Sequence, residues 1–258
     1  MSMKKTFGLA LSGGGARAII HAGFLKALNE SGLRPEIISG ASMGAIIGAL
    51  YADGFPPEEM LQVMIKPGFS SLPAWIGRKG GIGSLMVLRE HLDSLLRSKS
   101  FGELQLPLII SVTNLNKGRN ELISEGSLLD WVVASASIPV VFQPVVIDNQ
   151  YYVDGGLTNN LPVCCLSKPN RKVVALESNH LETVDTAFVS IKTVWERSLF
   201  LAVNNTLKDQ IKCCDLFIDA PEVNGFGIFD FNQAKRIYEI GYQIGCRKSE
   251  TIHHLLEN

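Results

Sequence analysis

Apolar residues occur in short blocks along the first part of the chain, and the blocks alternate between two spacings. Thr6–Leu11 is a mostly apolar run of strand length that ends in glycines. Residues 16–31 then have apolar side chains at helical spacing, namely Ile20, Phe24, Leu25 and Leu28. A second short run at 35–39 leads into a helix of small residues that ends near Asp53. This strand–helix–strand–helix order predicts a parallel sheet with right-handed crossovers.

The same alternation continues to the end of the chain. Further strands are predicted at 106–113, 145–153, 172–176 and 216–218. Further helices are predicted at 57–64, 87–96, 128–136, 193–210 and 231–256. Because no internal repeat and no long polar linker interrupts this order, residues 1–258 are predicted to form one domain. Its motifs lie at about 5–165, and further strands and helices follow at 170–258.

The composition of the chain argues against three classes of protein. Its 258 residues are 46% hydrophobic, which excludes a disordered chain. Its 24 basic and 25 acidic side chains give a net charge of -1, which disfavours nucleic acid as a partner because phosphate binding requires a basic surface. A mean hydropathy of +0.17 raises the question of a membrane span. The two longest uncharged stretches, 131–147 and 37–52, are shorter than the roughly 20 apolar residues that a spanning helix needs.

The N-terminus and the cysteines both predict a cytoplasmic protein. The apolar run near the start is shorter than the core of a secretory signal, which needs about 7–15 residues. The five cysteines show neither C-x-x-C nor Cys/His ligand spacing, so no metal site is expected. We therefore expect reduced thiols. The cysteines are Cys164, Cys165, Cys213, Cys214 and Cys246.

The strongest local motif is Gly40-x-Ser42-x-Gly44, which lies between a predicted strand and a predicted helix. A nucleophile elbow has this placement, because its serine occupies a tight turn and the flanking glycines avoid a steric collision. The helix that follows directs its N-terminal amides toward Ser42, where they favour a developing negative charge. The motif predicts Ser42 as a nucleophile.

Three consecutive glycines, Gly13-Gly14-Gly15, end the first predicted strand and precede Arg17. Consecutive glycine amides can form an anion-binding nest, and ligands bind at the carboxyl ends of parallel strands. The turn also fits the G-x-G-x-x-A pattern of a dinucleotide loop. The acid of the second strand, Glu36, lies at its start, however, and not at the end where ribose binding requires it. We therefore favour an oxyanion turn over a nucleotide site.

Two residues are candidates for the base that a serine nucleophile requires. His180 follows a predicted strand and would complete a Ser42…Asp154…His180 order typical of α/β-hydrolases. Asp154 ends a predicted strand, and Gly155 and Gly156 after it remove side chains that would block close approach. A partly buried aspartate with a raised pKa can accept the serine proton directly. The residues by themselves leave both a triad and a dyad open.

The three motifs, in this order along the chain, resemble those of the bacterial patatin-like phospholipases. They are Gly13-Gly14-Gly15-Ala16-Arg17, Gly40-x-Ser42-x-Gly44 and Asp154-Gly155-Gly156. The likeness continues through Ala134-Ser135-Ala136-Ser137-Ile138-Pro139 and Leu157-x-Asn159-Asn160-x-Pro162. It covers residues 5–165 well, and the match after them is looser.

This resemblance implies a three-layer α/β/α fold with a mostly parallel central sheet, patatin-like in arrangement. It also implies a lipid acyl hydrolase, of phospholipase A or lysophospholipase type, that forms an acyl-enzyme and needs neither metal nor cofactor. Ser42 would be the nucleophile and Asp154 the base of a Ser–Asp dyad. The implied oxyanion residues are Gly13, Gly14, Gly15, Arg17 and Met43, with Gly40, Gly44, Gly155 and Gly156 in support.

The partner implied by the resemblance is a lipid substrate, which a membrane surface would supply to a peripherally bound protein. Residues 67–88 contain apolar side chains between Phe69 and Ile82, beside the basic pair Arg78-Lys79. This composition fits either an interfacial flap over an acyl groove or a packed connector. Headgroup, acyl-chain preference and oligomeric state stay open.

Functions from two other classes remain as alternatives. A non-catalytic lipid-binding or regulatory protein would keep this fold without turnover, although the presence of both Ser42 and Asp154 argues against it. A nucleotide-binding oxidoreductase would use the first glycine turn to bind its cofactor. Ester hydrolysis would separate the first alternative from the enzyme, and dinucleotide binding would identify the second.

Overall fold

The central feature of the computed structural model, which describes residues 6–65, 85–183, 185 and 190–257, is one eight-stranded sheet. Its strand order is β5-β6-β3-β2-β1-β7-β8, and β4 pairs with β3. The strands are β1 Thr6–Leu11, β2 Ile37–Ala41, β3 Leu108–Asn114, β4 Arg119–Ile123, β5 Val145–Ile147, β6 Gln150–Asp154, β7 Arg171–Glu177 and β8 Leu216–Asp219.

The sheet has a parallel part and an antiparallel part. Strands β3, β2, β1, β7 and β8 pair in parallel, as the alternation of strands and helices predicts. The pairs of β3 with β4, β3 with β6 and β5 with β6 are antiparallel. The single strand predicted at 145–153 is a hairpin, because Asp148 and Asn149 both adopt positive φ, the conformation of a tight two-residue hairpin turn. Strand β4 was not predicted.

The longer helices agree with the sequence pattern except at one position, and the short helix Gly156–Asn159 was not predicted. The long helix predicted at 193–210 is divided at Thr206 into two helices. The described helices are α1 Ile20–Glu30, α2 Met43–Ala52, α3 Pro57–Met64, α4 Met86–Leu95, α5 Leu128–Ser135, α6 Gly156–Asn159, α7 Ile191–Asn205, α8 Leu207–Ile211 and α9 Ala234–Glu257. Within the described ranges, no helix is both long and apolar enough to cross a membrane.

Alternate residues of the central strands face two separate hydrophobic cores. Leu9 and Leu11 of β1 join the larger core, which includes Phe24 of α1 and Ile46 of α2. Ala10 faces the opposite side, where the smaller core includes Leu207 of α8. Helices therefore cover both faces of the sheet, and the predicted three-layer α/β/α arrangement is confirmed.

Two cysteines form a bond that the sequence analysis did not anticipate. Cys164 and Cys213 are joined by a disulfide, so the expectation of reduced thiols throughout is wrong for this pair. Cys165, Cys214 and Cys246 are free. The two bonded residues are 49 positions apart, and their segments meet through the pairing of β7 with β8 and through hydrogen bonds from the Val163 and Cys164 amides to Gln210. Residues 66–84, which contain nearly all of the predicted flap, lie outside the described residues.

Candidate active site

Ser42 occupies a strained turn between β2 and α2. Its φ of 53° lies in the left-handed region, which side chains other than glycine rarely adopt. The flanking glycines are required by close backbone approach. A Cβ on Gly44 would lie 2.4 Å from the Leu11 carbonyl oxygen, and one on Gly40 would lie 2.6 Å from the carbonyl carbon of Gly44. The predicted elbow is therefore present, with Ser42 at its tip.

The Ser42 hydroxyl donates a hydrogen bond to Asp154 Oδ2 at 2.6 Å. Asp154 ends β6, and its other oxygen, Oδ1, accepts a hydrogen bond from the Gly156 amide at 2.7 Å. Burial raises the pKa of Asp154 to about 6, while the hydrogen bonds from Ser42 and Gly156 act in the opposite direction. The carboxylate is thus a stronger proton acceptor than an exposed aspartate and is still mostly ionised at neutral pH.

The C-terminal end of helix α5 and the residues directly after it contact both members of this pair, a role that the sequence analysis missed. Ser135 Oγ accepts a hydrogen bond from the Ser42 amide at 2.9 Å and donates one to the Ser111 carbonyl at 2.7 Å. The Asp154 amide donates to the Ser137 carbonyl at 2.9 Å. Ser135 lies within a stretch that matched the family pattern, but its partners are distant in sequence, so no local signal identified its role.

The glycine turn after β1 lies beside Ser42, as predicted. Gly14 and Gly15 line the groove that contains Ser42 and Asp154. Among the described residues, the amides of Gly14, Gly15 and Met43 donate to no protein acceptor, so they are available for an oxyanion. The Gly13 amide differs, because it donates to the Asn160 carbonyl at 3.2 Å.

Arg17 lies outside this groove. Its Nε donates to the Phe226 carbonyl, and its guanidinium is stacked 4.6 Å from the centroid of the Phe200 ring. It lines a separate cavity of about 250 Å³ on the other side of Phe200. The oxyanion role predicted for Arg17 therefore has no geometric support.

The candidate base His180 and a second histidine, His21, both have partners other than Ser42. His180 Nδ1 contacts Asp219 Oδ2, and its ring lines the same cavity as Arg17. His21 is fully buried and bonds through Nε2 to the Ser12 carbonyl at 2.8 Å, so Nε2 has to be the donor. Burial lowers the pKa of His21 to about 4. The structure does not bring His180 to Ser42, and a Ser–His–Asp triad is not assembled.

The family model of the patatin-like phospholipases matches residues 9–163, which is more than half of the chain. The chain belongs to the patatin-like phospholipase family. The matched residues include the glycine turn, the elbow and Asp154, so the family assignment and the geometry concern the same residues.

Two curated relatives of this patatin-like chain are much longer proteins. It is 25% identical over 280 residues to lysophospholipase nte1 of Aspergillus fumigatus. The aligned region covers 93% of this chain and 18% of the relative. The chain is 25% identical over 279 residues to human patatin-like phospholipase domain-containing protein 6, which covers 93% of this chain and 20% of the relative. The chain thus spans about a fifth of the length of these relatives.

A solved structure supports the fold assignment. VipD from Legionella pneumophila superposes with a TM-score of 0.56 at 18% sequence identity, covering 96% of this chain and 67% of VipD. At this level of identity the likeness concerns the fold. It agrees with the patatin-like arrangement of a mixed sheet with helices on both sides.

Two apolar cavities meet at Ser42. The first, of about 50 Å³, has walls from α7 that include Leu199, Phe200 and Val203. The second, of about 30 Å³, is lined mainly by apolar side chains. These are Met43, Ile46, Leu88, Ala136, Ile138, Phe142, Ile228, Phe229 and Phe231. A substrate bound at Ser42 therefore has apolar surfaces on both sides. In the described part of the chain, no cluster of three or more His, Cys, Asp or Glu residues could hold a metal ion.

Proposed function

We propose that this patatin-like protein hydrolyses carboxylic ester bonds of lipids, as a phospholipase A or lysophospholipase, with Ser42 and Asp154 as a catalytic dyad. The observation that carries the proposal is the 2.6 Å hydrogen bond from the Ser42 hydroxyl to Asp154, beside amides that have no protein acceptor. A nucleophile, a base and oxyanion donors are the groups that acyl transfer requires.

In the first half of the reaction Asp154 accepts the proton of Ser42, and the serine oxygen attacks the ester carbonyl carbon. The carbonyl oxygen becomes an oxyanion and accepts hydrogen bonds from the amides of Gly14, Gly15 and Met43. When this intermediate collapses, the bond to the alcohol oxygen breaks and Asp154 returns the proton to that oxygen. The alcohol leaves, and Ser42 holds the acyl group.

In the second half water replaces the alcohol. Asp154 accepts a proton from the water, whose oxygen attacks the acyl carbonyl carbon, and the same amides receive the oxyanion. The bond to Ser42 then breaks, and Asp154 returns the proton to the serine oxygen. The products are a fatty acid and the free enzyme.

A lipid substrate is supported by the apolar walls of the groove and by the lysophospholipase name of the fungal relative. We propose that a membrane surface supplies this lipid. Val140 is 69% exposed and follows Pro139, which lines the groove, so one apolar side chain reaches solvent beside the site. Peripheral contact with lipid fits such a surface.

The test is release of fatty acid from lysophosphatidylcholine, phosphatidylcholine vesicles and a monoacylglycerol of the same chain length. Ser42→Ala is expected to abolish release from every substrate that the wild-type protein hydrolyses. Ser39→Ala is the matched control, because Ser39 is a buried serine of β2, the strand before Ser42, and its hydroxyl donates to the Pro162 carbonyl. This control is expected to retain activity.

Covalent labelling gives an independent measurement. A fluorophosphonate is expected to modify Ser42, as detected by mass spectrometry of the labelled peptide. A wild-type protein that releases no fatty acid and takes no label would favour a non-catalytic lipid-binding role on the same scaffold. Loss of activity in His180→Ala equal to that in Ser42→Ala would favour a triad over the dyad.

A further inference from the structure

The carbonyl group of Gly13 accepts hydrogen bonds from the side chains of the two residues that directly follow β7. Ser178 Oγ donates a hydrogen bond to the Gly13 oxygen at 2.9 Å, and Asn179 Nδ2 donates a second one to the same oxygen. Ser178 and Asn179 are 0% and 3% exposed, so solvent does not compete for these bonds. Both residues lie more than 160 positions from Gly13 in the sequence.

The orientation of this carbonyl determines where the next amide points. A trans peptide unit is planar, and its C=O and N–H groups point in opposite directions. Because Ser178 and Asn179 hold the Gly13 oxygen on one side, the Gly14 N–H is directed to the other side. Gly14 lines the groove with Ser42 and Asp154, and its N–H has no protein acceptor among the described residues.

Asn179 has no hydrogen left with which to contact a substrate. One Nδ2 hydrogen is used by the Gly13 carbonyl and the other by Glu177 Oε1 at 2.8 Å. The Asn179 backbone amide donates to the same Glu177 oxygen at 2.7 Å, and Glu177 is 1% exposed. Asn179 therefore acts on the groove through Gly13 and not by direct donation.

Ser178 is fixed in a similar way by Ser12. The Ser178 backbone amide donates to Ser12 Oγ at 2.9 Å, and the two hydroxyls lie 3.1 Å apart. Since Ser178 Oγ donates its proton to Gly13, the Ser12 hydroxyl donates to Ser178 Oγ. His21 holds the backbone of the same segment through the Ser12 carbonyl. The glycine turn is thus held by a directional set of hydrogen bonds.

We propose that Ser178 and Asn179 are positioning residues that aim the Gly14 amide at the oxyanion. The inference rests on the proposed acyl-transfer function, because it assigns these residues to the oxyanion step of that reaction. An oxyanion donor acts more strongly in the transition state than on the bound ester, so misalignment lowers kcat and leaves KM nearly unchanged.

The experiment compares Asn179→Ala and Ser178→Ala with two matched controls. Asn114→Ala removes a buried asparagine that bonds Gln150, and Ser39→Ala removes a buried hydroxyl that bonds a carbonyl. The substrate is a soluble short-chain ester, which makes lipid-surface binding irrelevant. Measured quantities are kcat, KM, the melting temperature and the rate of Ser42 modification by a fluorophosphonate.

Asn179→Ala and Ser178→Ala are each expected to lower kcat by about 10- to 100-fold, while KM changes by less than about threefold. The rate of fluorophosphonate modification should fall in parallel, since that reaction also develops charge on an oxygen in the same position. The controls should change kcat by less than about threefold. Each single variant keeps one of the two donors to Gly13, so the turn retains a hydrogen bond and the fold a measurable melting transition.

Equal kcat in the variants and the controls would overturn this inference, and so would a loss that appears mainly in KM. Either result with an active wild-type protein leaves the proposed function intact. Absence of hydrolysis and of labelling in the wild-type protein would instead overturn the proposed function. The two failures are therefore distinguishable.

Discussion

Asp154 and Asp219 both end a strand of the same sheet, yet their surroundings differ completely. Asp154 ends β6, is 6% exposed and accepts a hydrogen bond from a serine on a strained turn. Asp219 ends β8, has a side chain that is 33% exposed and contacts His180 beside a larger cavity. By residue type alone, the His–Asp pair resembles part of a hydrolase triad more closely than the Ser–Asp pair does.

The difference indicates that a proposed acyl-transfer site is recognised by the groups around its nucleophile and not by one pair of residue types. Amides without a protein acceptor lie beside Ser42, and the elbow presents its hydroxyl to the groove. In the described wall of the cavity beside His180 there is no such elbow. A familiar pair of residue types is therefore weaker evidence than a nucleophile with oxyanion donors around it.

The same substitution at the two aspartates gives the largest expected contrast. Asp154→Asn removes the proposed proton acceptor of Ser42 and is expected to lower kcat for ester hydrolysis by at least about 10³-fold. Asp219→Asn is expected to lower it by less than about threefold, because its partner His180 does not reach Ser42. Both effects are measured as initial rates of short-chain ester hydrolysis by the purified variants. Comparable losses at the two positions would remove the distinction between the pairs.

A methyl group in the glycine turn is expected to have the next largest effect. In Gly15→Ala the Cβ would lie 2.2 Å from the Ile228 carbonyl oxygen at a φ of +57°, so the turn beside Ser42 has to move. We expect kcat to fall by about 10²-fold. Gly102→Ala is the control, because nothing lies within 4 Å of its Cβ position. Full activity in Gly15→Ala would argue against an oxyanion role for this turn.

The pH dependence of activity distinguishes Asp154 from other acids. Its pKa is raised to about 6 by burial, and only the ionised form accepts the serine proton, so kcat/KM is expected to rise as the pH increases through about 6. Burial also raises the pKa of Glu177 to about 7, so Glu177→Gln is needed as a control. In this variant kcat/KM should still rise near pH 6, the acidic limb of the pH profile. His180→Ala should retain it as well. A limb that moves in His180→Ala would assign the titration to the imidazole.

The smallest expected effect concerns stability. Asp154 has a higher pKa in the folded protein than its ordinary value of 3.8, so its contribution to stability is fully present below pH 3.8 and is lost as the pH rises through about 6. Asp154→Asn removes the ionisable group, and at pH 8 it should increase the free energy of unfolding by roughly 1–3 kcal/mol. Urea unfolding at pH 8 and pH 3.5 measures this, and the difference should be near zero at the lower pH. A destabilised variant at pH 8 would contradict the burial penalty.

Much of the parallel half of the fold could be predicted because its signals are local. The strand at Thr6–Leu11 and the helix α3 at Pro57–Met64 have the predicted bounds. The elbow at Ser42 was predictable for the same reason, since the turn, its glycines and the adjoining elements occupy consecutive residues.

The antiparallel half was harder to predict. Strand β4 contains Arg119 and Glu121 and has no buried residue, so it lacks the apolar pattern of a central strand. The hairpin of β5 and β6 turns at Asp148-Asn149, without the glycine that usually marks such a turn. The disulfide of Cys164 with Cys213 depends on tertiary contacts between distant segments, which cysteine spacing does not reveal.

The sequence by itself determined the chemical groups of the site, because the glycine turn, the elbow and the Asp-Gly-Gly motif are each local arrangements. Only the tertiary structure showed which candidate base contacts Ser42. Asp154 ends a strand on one side of β2, His180 follows a strand on the other side, and the Ser42 hydroxyl bonds Asp154. The tertiary structure also showed that Arg17 lies outside the groove and that Ser178 and Asn179 bond the Gly13 carbonyl. These outcomes depend on strand order and on contacts between residues distant in the chain, and no local pattern encodes either.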